Sequence, residues 1–177
     1  GNAFLNEIVT LNENITPAKV LDELSDMIIK SLNQNRTDSE SKDGMDIAIV
    51  YFENNTPFIQ YAGAHNSLYI VRNGELKEYK ADLFPVGISE TGTVAPFKNN
   101  TIKLEKGDAL YIFSDGFSDQ FGGEQGRKYM KRRVKDLFTD IYSKPMNEQE
   151  EILDRTFTQW KGELNQVDDV LIIGIRI

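Results

Sequence analysis

The sequence predicts an α+β fold, with layers of mostly antiparallel strands between helices. Three observations carry this. Short apolar runs separated by turn residues fill the chain from Ile47 to Phe113. Segments with helical apolar spacing lie on both sides of that block. Strands and helices do not alternate strictly, as a parallel sheet would require.

The elements follow in order. Ala3, Phe4, Ile8 and Leu11 in the first twelve residues read as the end of a helix. A second helix follows, with Thr16 as cap, Pro17 in its first turn, and Val20, Leu21, Leu24, Met27, Ile28 and Leu32 on one face. The polar stretch from Asn33 to Asp43 reads as a loop. Ile47 to Phe52 and Phe58 to Tyr61 read as strands joined by Glu53-Asn54-Asn55-Thr56-Pro57. Leu68 to Val71 and Leu76 to Tyr79 flank Asn73-Gly74, a strong hairpin signal. Phe84 to Asn99 is irregular. Thr101 to Leu104 and Ala109 to Phe113 are expected to form another hairpin around Lys106-Gly107-Asp108. A helix is expected from about Arg127 to Ile141, with Met130, Val134, Leu137 and Phe138 facing inward. Another starts near Asn147, where Asn147 and Glu150 match a capping-box spacing, and buries Ile152, Leu153, Phe157 and Trp160. Val170 to Ile177 closes the chain as a strand.

Composition narrows the chemistry. With 177 residues, 40% apolar and 27% charged, the chain suits one soluble domain. No apolar run approaches the roughly 20 residues that span a bilayer, and no secretory signal pattern is present. The chain opens at Gly1-Asn2-Ala3-Phe4 without an initiator Met and reads as a piece of a longer protein. Zero cysteines exclude disulfides, thiolate zinc sites and thiol nucleophiles, and the single histidine excludes a multi-histidine metal site. No Gly-x-Ser-x-Gly elbow accompanies His65 to suggest a Ser-His-Asp triad. A net charge of −8 argues against nucleic-acid binding. Carboxylates, hydroxyls and amides remain, and an oxygen-ligated metal is their most capable use.

Two acidic clusters stand out. Asp115 follows the apolar run Ala109 to Phe113, and Asp168-Asp169 precedes the run Val170 to Ile175. A carboxylate at a strand end is held rigidly yet stays reachable, which suits Mg²⁺ or Mn²⁺. Asp-Gly alone is ordinary turn chemistry. Asp119, four residues on, and the second cluster shift the balance towards a site. Alternation along a strand leaves open that Asp169 faces away from Asp168. The segment Asp43-Gly44-Met45-Asp46 is a weaker acidic feature, and His65 reads as a hydrogen-bonded turn residue. Trp160 reads as core. Arg127, Lys128, Lys131, Arg132, Arg133 and Lys135 place six cations in nine residues. Such runs are usually a solvated helix face, although they would also steer an anionic substrate.

Further motifs occur in order: Asp43-Gly44-Met45-Asp46-Ile47-Ala48, Tyr61-Ala62-Gly63-Ala64-His65-Asn66, Phe84-Pro85-Val86-Gly87-Ile88, Lys106 to Gly116, and Asp168-Asp169. Together they resemble the sporulation stage II protein E (SpoIIE) family of bacterial PPM-type serine/threonine phosphatases. The resemblance spans nearly the whole chain and implies a layered α-β-β-α sandwich, two packed antiparallel sheets flanked by helices. It implies hydrolysis of phosphoserine or phosphothreonine by water activated at two Mn²⁺ or Mg²⁺ ions. Asp115 and Asp168 match metal-binding positions, Asp169 stands beside the second, and Asp119 matches a position for a further, weaker metal. Gly116 would admit close backbone approach.

Two family motifs that supply further ligands, an early Gly-Asp and an Asp-Gly-x-Gly-His-Gly-like segment, are absent. Residues 1–177 are therefore expected to form a single PPM-type domain that lacks its N-terminal strands and first two metal motifs, with an incomplete site and little or no activity. Surface left uncovered by those strands would favour a dimer or strand swap. By resemblance the protein is cytoplasmic, or the cytoplasmic output domain of a membrane-bound sensor. Its partners are an upstream sensor or regulatory domain and a phosphorylated substrate such as an anti-sigma-factor antagonist. The rival readings are a non-catalytic interaction module and a hydrolase of small phosphoesters.

Overall fold

A computed structural model describes residues 5, 6, 8, 10, 15–34, 44–87 and 95–177. The chain divides into two compact units, Gly1–Leu68 with Tyr79–Leu104, and Tyr69–Glu78 with Glu105–Ile177.

In the first unit, helix α1 (Pro17–Gln34) begins as the sequence predicts, with the Lys19 amide donating to Thr16 Oγ1 at 3.3 Å. Val20, Leu21 and Leu24 are buried with Ala62, Ala64, Val86 and Phe97. Leu32 and Asp43 lie outside the residues whose side chains are described. Strands β2 (Ile47–Phe52), β3 (Phe58–Ala64) and β7 (Asn100–Lys103) form an antiparallel sheet in the order β2-β3-β7. The stretch expected to be irregular contributes β6 (Val86–Gly87), paired with β1 (Gly44–Met45) and clamped by the Gly87 amide donating to Ser25 Oγ at 3.1 Å.

In the second unit, β4 (Leu68–Arg72), β5 (Glu75–Tyr79), β8 (Ala109–Phe113) and β11 (Ile172–Arg176) form an antiparallel sheet ordered β11-β8-β4-β5. Asn73 (φ 51°) and Gly74 (φ 82°) turn the β4–β5 hairpin, the double positive φ that Asn-Gly favours. Helices α3 (Lys131–Ile141) and α4 (Met146–Lys161) contribute Val134, Phe138 and Phe157 to a core with Tyr69, Val71, Tyr111 and Phe113. Tyr111 stacks on Phe138 with centroids 4.1 Å apart. Burial pushes the Tyr111 phenol up to about 12, so it stays protonated and donates to Gln149 Oε1 at 2.6 Å.

Five local expectations are corrected. The segments around Lys106-Gly107 do not form a hairpin, because β7 pairs with β3 while β8 pairs with β4 and β11. Long-range partners override the turn signal. Asp108 is forked by Arg72, the Gly107 amide donates to the Ile177 carbonyl, and the Leu104 amide to the Pro57 carbonyl. The third helix starts at Lys131, not near Arg127, and Arg127–Lys128 is strand β10, paired with β9 (Phe121–Gly122). There the Tyr129 and Met130 amides donate to the Gln120 and Ser118 carbonyls, and Met130, at φ 81°, is exposed instead of inward. Asn147 is no cap: Pro145 takes that position, with no side-chain cap bond. The last strand is shorter than expected, Ile172–Arg176.

Candidate functional site

The end of β8 runs directly into a four-residue helix, α2 (Gly116–Asp119), with Asp115 at its N-cap. The Asp115 side chain makes no cap bond and is exposed, so its carboxylate is committed to nothing in the local backbone. The segment bearing Asp168-Asp169 is tied to the same place by Ser114. Its Oγ donates to the Asp169 carbonyl at 2.9 Å and accepts from the Leu171 amide at 3.0 Å, and its amide donates to the Leu171 carbonyl. One serine thus fastens the start of one acidic cluster to the other across a separation of 55 residues.

Gly116 makes that approach possible. A β-carbon there would overlap the Asp169 carbonyl oxygen, with the carbonyl carbons of Asp169 and Asp168 at 2.8 and 3.3 Å. Gly116→Ala is therefore expected to destabilise the chain by about 1–3 kcal/mol through overpacking against backbone. Helix propensity alone predicts the opposite sign. Urea unfolding decides: a more stable variant would contradict the close approach.

Gln120 completes the scaffold. Its fully buried side chain donates to the Asn165 carbonyl at 3.0 Å and accepts from the Val167 amide at 3.2 Å, clamping the segment that leads into Asp168. Asp168 Oδ1 in turn accepts the Asp169 amide at 2.7 Å. Sequence reasoning missed Ser114 and Gln120 as positioning residues. Their only sequence signal is a polar residue beside each predicted acid.

The backbone therefore brings Asp115 and Gly116 against Asp168 and Asp169. Asp119 is ion-paired with Lys128 Nζ at 2.7 Å. Asp46 accepts from or pairs with His65 Nδ1 at 2.9 Å, His65 holding φ 57° as a hydrogen-bonded turn residue. The donor chemistry is all carboxylate, the kind hard divalent ions take. Its number falls short: among the described residues no group of three or more His, Asp or Glu side chains converges as a metal site.

The six cations of Arg127 to Lys135 do not share one face. Lys128 pairs with Asp119, Lys135 pairs with Glu78 at 2.7 Å, and Arg133 lies over the Trp160 ring at 4.7 Å. Trp160, read as core, is half-buried and packs against the core cluster of the second unit.

Antiparallel sheets packed with helices match the fold of PP2C-like phosphatase domains. The SiaA-PP2C domain of Pseudomonas aeruginosa shares it at 28% identity and a TM-score of 0.84, with 99% of this chain covering 66% of that domain. The SpoIIE phosphatase domain of Bacillus subtilis matches at 17% identity and a TM-score of 0.56, over 94% of this chain and 75% of that one. The RsbU and RsbW domains of Rv1364c from Mycobacterium tuberculosis match at 15% and 0.66, over 95% of this chain and 44% of that one. The chain belongs to the Stage II sporulation protein E (SpoIIE) family, whose model matches residues 4–177. No curated protein matches it by sequence. The chain thus spans slightly less than two thirds of the SiaA domain. No helix among the described residues is long and apolar enough to cross a membrane.

Proposed function

We propose that this chain is part of a metal-dependent serine/threonine protein phosphatase of bacterial signalling, acting in the cytoplasm on a phosphorylated regulatory protein such as an anti-sigma-factor antagonist. The observation that carries this reading is the seating of Asp168-Asp169 on Gly116, beside the uncommitted Asp115 carboxylate. Asp115 and Asp168 would hold the divalent ions, with Asp169 beside them and Asp119 at a further, weaker position.

When bound, two Mn²⁺ or Mg²⁺ ions supply an activated water and neutralise phosphoryl charge. The chain's own residues present the carboxylates. Ser114 and Gln120 fix the backbone that carries them, Gly116 admits the approach, and Lys128 balances Asp119. Residues 1–177 would then form one PPM-type domain whose remaining ligands come from outside them. The span of about two thirds of the SiaA domain supports this.

Leu171 and Ile173 are exposed on the edge strand β11 and its approach, an apolar edge that favours self-association. The rival reading, a non-catalytic interaction module, shares the fold and is separated by activity. The full-length gene product is expected to release phosphate from a phosphoserine protein only with Mn²⁺ or Mg²⁺, whereas residues 1–177 alone are expected to show no clear rate. A manganese-dependent rate from the 177 residues would contradict the incomplete site. A full-length protein without activity on any phosphoprotein would favour the module.

A further inference from the structure

A cavity of about 570 Å³ opens beside the β9–β10 hairpin, walled by Gly123, Glu124, Arg127, Lys128, Arg133 and Trp160. Three cations face one acid in a chain whose net charge is −8. We propose that this cavity docks an acidic segment of the substrate protein, next to the phosphorylated residue; the proposal rests on the phosphatase reading.

The floor is rigid. Trp160 Nε1 donates to the Gln120 carbonyl at 3.0 Å, and its own carbonyl accepts the Gly123 amide at 2.9 Å. Tyr129 meets the indole edge-on at 5.3 Å. A β-carbon on Gly123 would come within 2.7 Å of the ring, so bare backbone is needed on that side. Arg133 lies on this shelf, its guanidinium carbon 4.7 Å from the indole centroid and 5.9 Å from that of Tyr129. A guanidinium stacked on an aromatic face keeps its N–H edge free to grip a carboxylate with two parallel bonds.

That edge is uncommitted, because neither Arg133 nor Arg127 forms an ion pair among the described residues. Lys128 is committed to Asp119 and so connects the cavity wall to the proposed metal carboxylates through one 2.7 Å contact. An acidic side chain seated on Arg133 would lie in the same cavity as Lys128, whose partner is Asp119. The excess negative charge elsewhere disfavours a long polyanion such as nucleic acid and leaves a short acidic stretch as the better fit.

Trp160 is the only tryptophan of the chain, so its emission reports on the cavity alone. Titration with hexaglutamate at low salt is expected to change that emission saturably. Arg133→Gln and Arg127→Gln, both exposed positions, are each expected to weaken binding about tenfold or more, the scale of one lost charge-assisted hydrogen-bond pair. Added salt should weaken it further. Inorganic phosphate and hexalysine serve as controls. Absence of saturation, binding by both variants as tight as that of the native chain, or phosphate binding as well as hexaglutamate would each overturn the proposal. Binding is read without turnover. An inactive full-length protein that still binds hexaglutamate would therefore refute the phosphatase reading alone, and a failed titration would refute the docking pocket alone.

Discussion

Replacing Asp108 with alanine is expected to lower the unfolding free energy by about 3 kcal/mol, the lower end of the range for breaking a buried ion pair by removing one partner. The Asp108 side chain is 1% exposed. Its two oxygens accept from Arg72 Nε at 2.8 Å and Nη2 at 2.7 Å, and from the Glu105 amide at 2.9 Å. Deletion would strand that amide and half of the guanidinium. Arg72 would keep Glu105 at 2.7 Å and some solvent, which places the loss at the low end. Such a loss is a large share of a typical domain's stability of about 5–15 kcal/mol.

The same residue sets an acid limit. Burial pushes the Asp108 carboxyl up, but the Arg72 hydrogen bonds and charge and the Glu105 amide outweigh it and hold the group below its usual 3.8. A depressed carboxyl stabilises the fold above its unfolded-state pKa, and that contribution is lost as pH falls through the folded value. The stability gap between the native chain and Asp108→Asn should thus be constant near neutrality and close below about pH 4. Urea unfolding at stepped pH measures it. A gap that widened in acid would contradict the linkage.

Asp115→Asn in the full-length gene product is expected to lower kcat about 100-fold or more, since a metal's electrostatic contribution amounts to several kcal/mol. Stability should change by no more than about 0.5 kcal/mol, because this carboxylate is exposed and makes no cap bond. The separation of the two effects identifies the residue as functional. Asp46→Asn, whose carboxylate meets His65, serves as the comparison and is expected to leave turnover in place. Full activity in the Asp115 variant would remove it from the site.

Local chemistry was legible wherever neighbours in sequence decide the structure. Thr16 caps its helix, and Asn73-Gly74 turns its hairpin, because both signals act within four residues. Lys106-Gly107 carries a similar signal, yet its surroundings are decided by Arg72, Pro57 and Ile177, which no local pattern reveals. Arg127 to Met130 continue a helical apolar spacing, but the carbonyls of Ser118 and Gln120 capture the backbone donors first. The acidic clusters could be picked out because a charge at the border of an apolar run is conspicuous. Ser114 and Gln120 could not, since each acts on backbone 45 or more residues away. The stacking of Arg133 on Trp160 was hidden for the same reason, and the six cations therefore read as one helix face.

The most direct test of the central claim, that Asp115 and Asp168 are the chain's carboxylates for a divalent ion, is a manganese titration of residues 1–177 followed by the electron paramagnetic resonance of free Mn²⁺. Weak but saturable binding is expected, lost in Asp115→Asn and in Asp168→Asn and kept in Asp46→Asn. Binding that survives both of the first two substitutions, or no binding by the native chain, would contradict it.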